Sequence, residues 1–242
     1  MTTPTDPGAE TSGRPGRDNL LQAALGLLDD HGPDALQTRR IAKAAATSTM
    51  AVYTHFGGMR GLIAAVAQAG LEQFDAALAV GDTDDPVADL LTCGMTYRRF
   101  ALQRPHLYRL MFGSTSAHGI NAPAHDIRTD PVAQVDPSLG NLVRTVGRAV
   151  DAGRITAPAG AGDWAVLAVA AQFWTMMHGF VLLELAGFFG PDAVEPVLGA
   201  MARHTLVGLG DDPAAAAVSQ AAARRRADAK LPADPGWIGG EF

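Results

Sequence analysis

Apolar residues recur along this chain at helical intervals. Between residues 17 and 31, one face of a helix is marked at i, i+4, i+7 and i+8 by Leu20, Ala24, Leu27 and Leu28. Gly32 and Pro33 follow directly and predict the end of that helix. No stretch alternates apolar and polar residues as a half-buried strand does, and no internal repeat is visible. The pattern therefore predicts an all-α fold.

The same periodicity predicts about nine helices. They occupy residues 17–31, 37–45, 49–55, 60–79, 86–103, 105–112, 137–153, 163–189 and 191–209. We expect residues 1–16 to be a disordered, solvated tail and the Ala-rich residues 210–242 to be a peripheral tail. The short helices predict a small domain at residues 17–62, and the longer helices predict a larger domain at residues 63–209.

The second and third helices are short and are joined by a brief turn at Ala46 and Thr47. Ile41 of the second helix is predicted to face inward. The basic residues Arg39, Arg40 and Lys43 are then on the outer side of the helix. Ser48 is a suitable N-cap for the third helix, because its hydroxyl can accept an amide hydrogen of the first turn. Gly57 and Gly58 end that helix. Two short helices in this arrangement predict a helix-turn-helix.

Charge is distributed unevenly along the chain. The net charge is -6, yet residues 36 to 60 contain no acidic residue and four basic ones, namely Arg39, Arg40, Lys43 and Arg60. Because salt confines each field to about 8 Å, a local positive face can dock on phosphate although the whole molecule is acidic. The alternative is that the four charges are an ordinary solvated helix surface.

The third helix has the composition of a helix that enters the major groove, which is about 12 Å wide. The small or flexible residues that would meet the bases are Thr49, Met50 and Ala51. The donors that would reach sugar and phosphate one turn later are Tyr53, Thr54 and His55. Val52 and Phe56 would face inward. The alternative is that the rings of Tyr53 and His55 only cover the core of the small domain.

Residues 20–63 resemble the amino-terminal domain of the TetR (tetracycline repressor) family of transcriptional regulators. The resemblance rests on the "IA" of the second helix, the turn, "VYTHF" and the following leucine. By position it implies base and backbone contacts from Thr38, Arg39, Thr49, Met50, Ala51, Tyr53, Thr54 and His55.

Three positions depart from the family pattern. Ala46 and Thr47 stand where the turn usually has glycine and valine, so the turn is expected to be less relaxed. Gln37 replaces the usual hydroxyl N-cap of the second helix. Met59 stands where a basic residue is expected, which assigns the phosphate contact to the neighbouring Arg60.

The second half of the chain also resembles this family. The sequence "FWTMMHGFVLLELAG" at residues 173–187 resembles the Trp-His-Gly signature of one carboxy-terminal subgroup, and residues 97–113 resemble the segment that precedes its variable loop. The resemblance implies a ligand-binding and dimerisation domain.

Aromatic and sulfur-containing side chains gather where that domain would hold a ligand. The candidates are Tyr97, Phe100, Tyr108, Met111, Phe112, Phe173, Trp174, Met177 and His178. Such a stripe can equally be plain core. His178, within an apolar helix, is either a hydrogen-bonded structural residue, which we favour, or a ligand contact.

One apolar run has the length of a membrane span. Residues 164–183 carry no charge, but Gln172, Thr175 and His178 lie within them, and the flanks hold Asp163 and Glu184 rather than cations. We expect a buried helix and no membrane partner.

Motifs for catalysis or for a cofactor are not found. No Glu-x-x-His pair, phosphate loop, nucleophile elbow or His-Glu-x-x-His zinc motif occurs, and the single cysteine, Cys93, excludes a multi-cysteine zinc site. The first residues lack the apolar core of a signal peptide. We therefore expect a cytoplasmic protein that is not an enzyme and has no cofactor or metal.

The last predicted helix has a mostly apolar face. It consists of Val194, Val197, Leu198, Met201 and Thr205, which suits a homodimer through the eighth and ninth helices, although packing within one chain would bury it equally well. The resulting hypothesis is a repressor that binds a roughly palindromic DNA operator as a homodimer and is released by a small molecule. The alternatives are a helical binding or catalytic protein acting on an apolar metabolite, and a TetR-like activator.

Overall fold

The computed structural model describes residues 14–113, 115–121, 137–158 and 164–230. Within these ranges the backbone forms helices and one isolated bridge, with no strand. The α-helices are α1 (Arg14–His31), α2 (Thr38–Ala44), α3 (Thr49–Phe56), α4 (Met59–Leu78), α5 (Pro86–Gln103), α6 (Pro105–Met111), α7 (Pro137–Asp151), α8 (Trp164–Leu185), α9 (Ala200–Gly208) and α10 (Pro213–Lys230). The all-α prediction is confirmed. Most of the predicted amino-terminal tail lies outside the described residues.

The chain divides into two compact units. Unit 1 comprises Met1–Glu72 and Arg104–Ala124, and unit 2 comprises Gln73–Gln103 and His125–Phe242. The segment that contains α6 therefore belongs to unit 1. The domain boundary expected between residues 62 and 63 lies inside the continuous helix α4, and it stays a prediction about the division of function.

Unit 1 is built around an apolar core. On α1, the predicted inward residues Leu20, Ala24 and Leu28 are fully buried, and Leu27 is half-buried. α1 ends where expected, since Gly32 follows it with a φ of 74° that favours glycine. Ile41 of α2 and Val52 of α3 are fully buried as well, and α1 packs against both of these helices and against α6.

The turn between α2 and α3 is a Schellman motif with alanine at its left-handed position. The amide of Thr47 donates to the carbonyl of Ala42 at 2.9 Å, and the amide of Ala46 donates to that of Lys43 at 3.2 Å. Ala46 has a φ of 51°, a conformation that glycine adopts without cost and alanine does not. The less relaxed turn expected from the sequence is therefore present in the backbone.

Ser48 occupies the N-cap position of α3, but the expected side-chain cap does not form. Its backbone is extended, and its hydroxyl makes no hydrogen bond to the first-turn amides. Its carbonyl oxygen instead accepts the amide hydrogen of Ala51 at 3.1 Å. Gln37 likewise makes no side-chain cap for α2. Tertiary packing rather than capping therefore fixes the starts of these two helices.

The core of unit 2 brings together α5, α7, α8, α9 and α10. Its buried apolar residues are Val87, Leu90, Val146, Ala149, Ile155, Val169, Ala170, Phe173, Leu206 and Ala216. Because Ala216 of α10 belongs to this cluster, the prediction that residues 210–242 are peripheral is wrong for the part that the structure describes. α10 packs along α5 with a face spaced at helical intervals, composed of Ala216, Ser219, Gln220, Ala223 and Ala227.

A buried carboxylate ties α10 to the rest of unit 2. The side chain of Asp89 accepts hydrogen bonds from the Thr83 amide at 2.9 Å, the Thr83 hydroxyl at 2.7 Å and Arg148 at 2.6 Å, and also from Arg226 of α10. Burial raises the pKa of Asp89, but these donors together outweigh it and lower the pKa to about 2. Arg226, the last of three consecutive arginines at residues 224–226, is thus a structural residue.

The predicted helix at residues 191–209 is interrupted. Pro191–Ala193 is a 3₁₀ turn, Val194–Gly199 is a π-helical segment, and α9 begins only at Ala200. Pro196 has no amide hydrogen to donate to the preceding turn, which accounts for the wider winding there. The apolar stripe predicted on one continuous α-helix is therefore divided between two windings.

Candidate nucleic-acid interface and ligand site

The rotational setting of α3 is fixed by Val52, which is fully buried. Its neighbours therefore face outward: Met50 is 66% exposed and Tyr53 is 56% exposed. Thr49 and Thr54 are also exposed, whereas Ala51 and His55 are half-buried. The helix thus presents the predicted base-facing and backbone-facing residues on its solvent side, and their contacts with DNA stay predictions.

Two details of α3 could not be predicted from the pattern. The hydroxyl of Thr54 donates to the carbonyl of Met50 at 3.1 Å, so its hydrogen is already used within the helix. Phe56, expected to face inward, is only half-buried and carries the guanidinium of Arg17 over its ring at 5.1 Å. The start of α1 therefore covers the end of α3.

The cations of the acid-free stretch are exposed and unpaired. Arg39, Arg40, Lys43 and Arg60 all lie in unit 1 on its surface, and Thr38 beside them is half-buried. In the part of the chain that the structure describes, none of the four makes a hydrogen bond or an ion pair with the protein. Their charges are therefore directed to solvent, where they can meet phosphate groups.

The junction of α3 and α4 depends on close backbone packing. Gly57 and Gly58 have φ values of 68° and 113°, and a side chain on Gly61 would overlap the carbonyl oxygen of Phe56. α4 thus starts directly against the end of α3. This arrangement holds the exposed face of α3 in one orientation relative to α4.

The predicted ligand residues divide between the two units. Tyr97, Phe100, Phe173, Trp174, Met177 and His178 lie in unit 2, whereas Tyr108, Met111 and Phe112 lie in unit 1. Phe173 belongs to the apolar core of unit 2, as the plain core interpretation expects. None of the nine assignments is tested by the structure, and they stay predictions.

In unit 2, an aromatic cluster surrounds the histidine of α8. The rings of Tyr97 and Phe100 lie 4.8 and 5.2 Å from that of Phe74 in edge-to-face contacts. The Tyr97 hydroxyl and His178 Nδ1 are 3.0 Å apart, and the Trp174 ring lies 6.3 Å from the imidazole. His178 thus has the protein partner that a structural histidine requires.

Burial lowers the pKa of His178, so its imidazole is neutral at physiological pH. A neutral imidazole has one donor and one acceptor nitrogen, and the tyrosine hydroxyl can satisfy either role. Met177 of the same helix packs against α5 at Gly94, which has no side chain. The Cε of Met177 lies 3.0 Å from the position that a Cβ on Gly94 would take. α5 and α8 therefore pack closely around this cluster.

In unit 1, the three remaining candidates belong to α6 and the residue after it. Tyr108 is fully buried and its ring lies 4.9 Å from that of Phe112. A Cβ on Gly70 of α4 would lie 2.7 Å from the sulfur of Met111, so α6 and α4 approach closely. These side chains help to hold α6 within unit 1.

A cavity that the sequence did not indicate adjoins α10. It has a volume of about 290 Å³ and is lined by Val80, Gly81, Thr92, Arg226 and Ala229. None of the predicted ligand residues lines it. Two of its lining residues, Arg226 and Ala229, belong to the segment that the sequence predicts to be peripheral.

The predicted dimer residues are not equally exposed. Leu198 is buried within its own chain, Val194, Val197 and Thr205 are half-buried, and Met201 is 42% exposed. Val194, Val197 and Leu198 lie in the π-helical segment, whereas Met201 and Thr205 lie on α9. These assignments also stay predictions.

Helix α8 leaves a continuous face uncovered. Its exposed residues follow helical spacing and are Trp164, Gln172, Thr175, Gly179 and Leu183. By length and composition α8 is the one helix of the described chain that could cross a membrane, and 28% of its most apolar stretch is buried. The helix is therefore only partly buried among the described residues.

No group of three or more potential metal ligands occurs among the residues that the structure describes.

Two family models match the sequence. One, "Bacterial regulatory proteins, tetR family", matches residues 20–66, and the other, "Tetracyclin repressor-like, C-terminal domain", matches residues 90–209. Together they account for more than half of the chain. No curated protein sequence matched it.

Solved structures with a similar fold include three that cover most of the chain. A protein with unknown function from Rhodococcus sp. RHA1 has a TM-score of 0.61 at 25% identity, over 86% of this chain and 100% of that one. RolR in complex with resorcinol has a TM-score of 0.58 at 17% identity, over 88% and 95%. A TetR family transcription regulator from Marinobacter aquaeolei VT8 has 0.53 at 20%, over 82% and 97%.

Proposed function

This chain belongs to the tetR family of bacterial regulatory proteins, and we propose that it is a repressor that a small-molecule inducer releases from a palindromic operator. That it is a DNA-binding transcriptional regulator follows from the family itself. Members of the family are generally not enzymes, and we assign no catalytic step. A regulator that acts on DNA works in the cytoplasm, which we adopt as its location.

The observation that carries the DNA-binding proposal is the set of exposed cations, without a partner among the described residues, on α2 and α4, the helices before and after α3. Arg39 and Arg60 supply charge for phosphate, and Tyr53 supplies a hydroxyl on the exposed side of the helix. Removing an exposed cation that contacts phosphate lowers the slope of log affinity against log salt by about 0.9. It weakens binding to all sequences similarly, because phosphate contacts carry no sequence information.

Salt titrations test this assignment. We expect Arg39→Gln and Arg60→Gln each to reduce the slope by about 0.9 per half-site, or about 1.8 on a palindromic operator, and Tyr53→Phe to weaken binding with a smaller change in slope. Arg225→Gln is the matched control, because Arg225 is an exposed arginine of α10 without a partner among the described residues. Folded Arg39 and Arg60 variants that bind with the wild-type slope would contradict the proposed interface.

We further propose that two copies associate through the uncovered face of α8 together with α9. An apolar helix left open in one chain needs a cover, and the polar residues Gln172 and Thr175 in the middle of the face suit another protein better than lipid. A dimer also doubles the base contacts, each worth about 1–3 kcal/mol, which one helix-turn-helix cannot supply in sufficient number.

Charged substitutions on this face test the dimer. Leu183→Asp and Met201→Asp, at positions 44% and 42% exposed, are expected to give folded monomers that lose operator binding. Val218→Asp is the control, since Val218 is an exposed apolar residue of α10. Sedimentation at micromolar concentration measures the mass. A wild-type monomer under these conditions would refute the scheme.

For the inducer, we propose a small and largely apolar molecule that the aromatic side chains of α5 and α8, both in unit 2, contact. The Tyr97 and His178 pair would provide the polar contact that orients it. RolR, a neighbour in fold, was solved with resorcinol, so resorcinol and related phenols are the first probes to test.

Trp174, which lies beside His178, reports on such binding through its fluorescence. We expect a saturable change with an inducing phenol, and Trp174→Phe to reduce it. Met177→Ala should weaken the release of DNA by the inducer while operator binding stays intact. If the variant unfolds instead, the plain core interpretation is supported.

A reporter gene behind the operator separates repression from activation: deletion of the regulator raises expression of the reporter if the protein represses.

A further inference from the structure

The chemistry of α3 restricts how it can read bases. The helix has the sequence TMAVYTHF, and its first turn contains no arginine, lysine, amide or carboxylate. In the major groove, bidentate contacts to guanine come from Arg or Lys, those to adenine from Asn or Gln, and those to cytosine from Asp or Glu. None of these contacts is available to the leading turn of α3.

The largest outward group of that turn is the thioether chain of Met50. It is 66% exposed at the second position of the helix, while the fully buried Val52 prevents the helix from turning this side chain inward. The carbonyl of Met50 accepts the Thr54 hydroxyl, which adds a local restraint to the same turn. A flexible apolar chain is thus held in solvent at the end of the helix that leads into the groove.

Only thymine offers an apolar group in the major groove, its C5-methyl. We propose that Met50 reads a thymine in each operator half-site by packing against this methyl group. The inference rests on the proposed function, because it requires α3 to enter the major groove. It assigns to Met50 a discrimination between thymine and cytosine or uracil at one base pair, which appears at the symmetric position of the second half-site.

Methyl removal on the DNA tests the contact directly. Operators selected from a random duplex pool with the full chain are resynthesised with each thymine replaced, one at a time, by deoxyuridine, which lacks only the C5-methyl. We expect one symmetric pair of positions at which wild-type binding falls about three- to fivefold per methyl lost. Replacement at the other thymines leaves the affinity within twofold.

A double-mutant cycle assigns the contact to a residue. Met50→Ala is expected to bind the thymine operator more weakly than wild type but to be insensitive to deoxyuridine at that position. Met59→Ala, which removes a half-buried thioether at the start of α4, is the control and keeps the wild-type sensitivity. Met50→Gln is expected to shift the preferred base at this position toward adenine, since glutamine pairs with its N6 and N7.

Each other outcome decides against the inference. The inference is overturned if wild-type binding is insensitive to deoxyuridine at every thymine. It is also overturned if Met50→Ala and the wild type lose affinity by the same factor when the same thymine is replaced. In both cases sequence-preferring binding remains and the proposed regulator function stands. A selection that enriches no operator overturns the proposed function together with the inference. Because Met50 is exposed, thermal unfolding of its variants should match wild type.

Discussion

Four cationic side chains of unit 1 differ from three arginines of unit 2 in what they contact. In unit 1, the cations at positions 39, 40, 43 and 60 are exposed and have no protein partner among the described residues. In unit 2, arginines pair with buried carboxylates: Arg98 with Glu184 at 2.6 Å, Arg154 with Asp211 at 2.7 Å, and Arg148 with Asp89 at 2.6 Å. The four cations at positions 39, 40, 43 and 60 thus face solvent, whereas these three arginines of unit 2 join helices.

This difference separates the two tasks of a regulator. An unpaired cation keeps its full field for a phosphate group, and it adds nothing to the free energy of folding. A cation paired with a buried carboxylate is neutralised locally, and its removal leaves a charge without compensation. The overall charge of -6 therefore predicts neither the DNA-facing surface nor the stability of the core.

The largest expected effect is the loss of the Asp89 charge. Asp89→Asn leaves Arg148 and Arg226 beside an uncharged amide, and we expect the free energy of unfolding of unit 2 to fall by about 3–5 kcal/mol. Urea denaturation at neutral pH measures it. Asp34→Asn, at an exposed position of unit 1, is the control and should change stability by less than about 0.5 kcal/mol. Equal stability of the two variants would remove the contrast between the units.

The next effect concerns backbone packing in unit 1. Gly61→Ala places a Cβ against the carbonyl oxygen of Phe56, and we expect a loss of about 2–3 kcal/mol together with weaker operator binding. Gly26→Ala is the matched control: no atom lies within 4 Å of the new Cβ on α1, and helix propensity predicts a gain of about 0.5–1 kcal/mol. If Gly61→Ala is as stable as Gly26→Ala, unit 1 does not depend on this close approach.

Acid should affect unit 2 through Asp89. Its pKa is lowered from 3.8 to about 2 in the fold, so the unfolded chain binds this proton more readily. The stabilisation, roughly 2 kcal/mol, is present above pH 4 and is lost as the pH falls from about 4 to about 2. Denaturation midpoints across this range check the prediction. Asp89→Asn should lack this part of the pH dependence, and an unchanged profile in that variant would contradict it.

Sequence periodicity predicted the elements that depend on local pattern. The bounds of α1 to α7 follow from apolar spacing and from Gly and Pro at their ends, and Val52 was expected to face inward, as it does. The outward position of Met50 and Tyr53 follows from that single buried residue. For the DNA-facing helix, local pattern and tertiary packing therefore agree.

What the sequence could not predict depends on partners distant along the chain. α10 has little hydrophobic character. Two features place it in the core: small alanine side chains allow close approach to α5, and Arg226 pairs with Asp89, which precedes it by 137 residues. The end of α8 at Leu185 and the π-helical turn at Val194–Gly199 were missed because residue propensity does not reveal changes of helical winding.

The smallest predicted effect tests the turn before α3. Ala46 has a φ of 51°, and the left-handed conformation costs a residue with a Cβ roughly 1–2 kcal/mol. Glycine at this position removes that cost but loses more entropy on folding, about 0.5–1 kcal/mol, so we expect Ala46→Gly to stabilise unit 1 by a net 0.5–1 kcal/mol or so. The control is Ala44→Gly, since Ala44 is also exposed but is the last residue of α2, with helical conformation, where glycine is expected to destabilise by up to about 0.5–1 kcal/mol. Thermal unfolding should move in opposite directions for the two variants. A loss of stability in both would mean that the Schellman turn imposes no strain on Ala46.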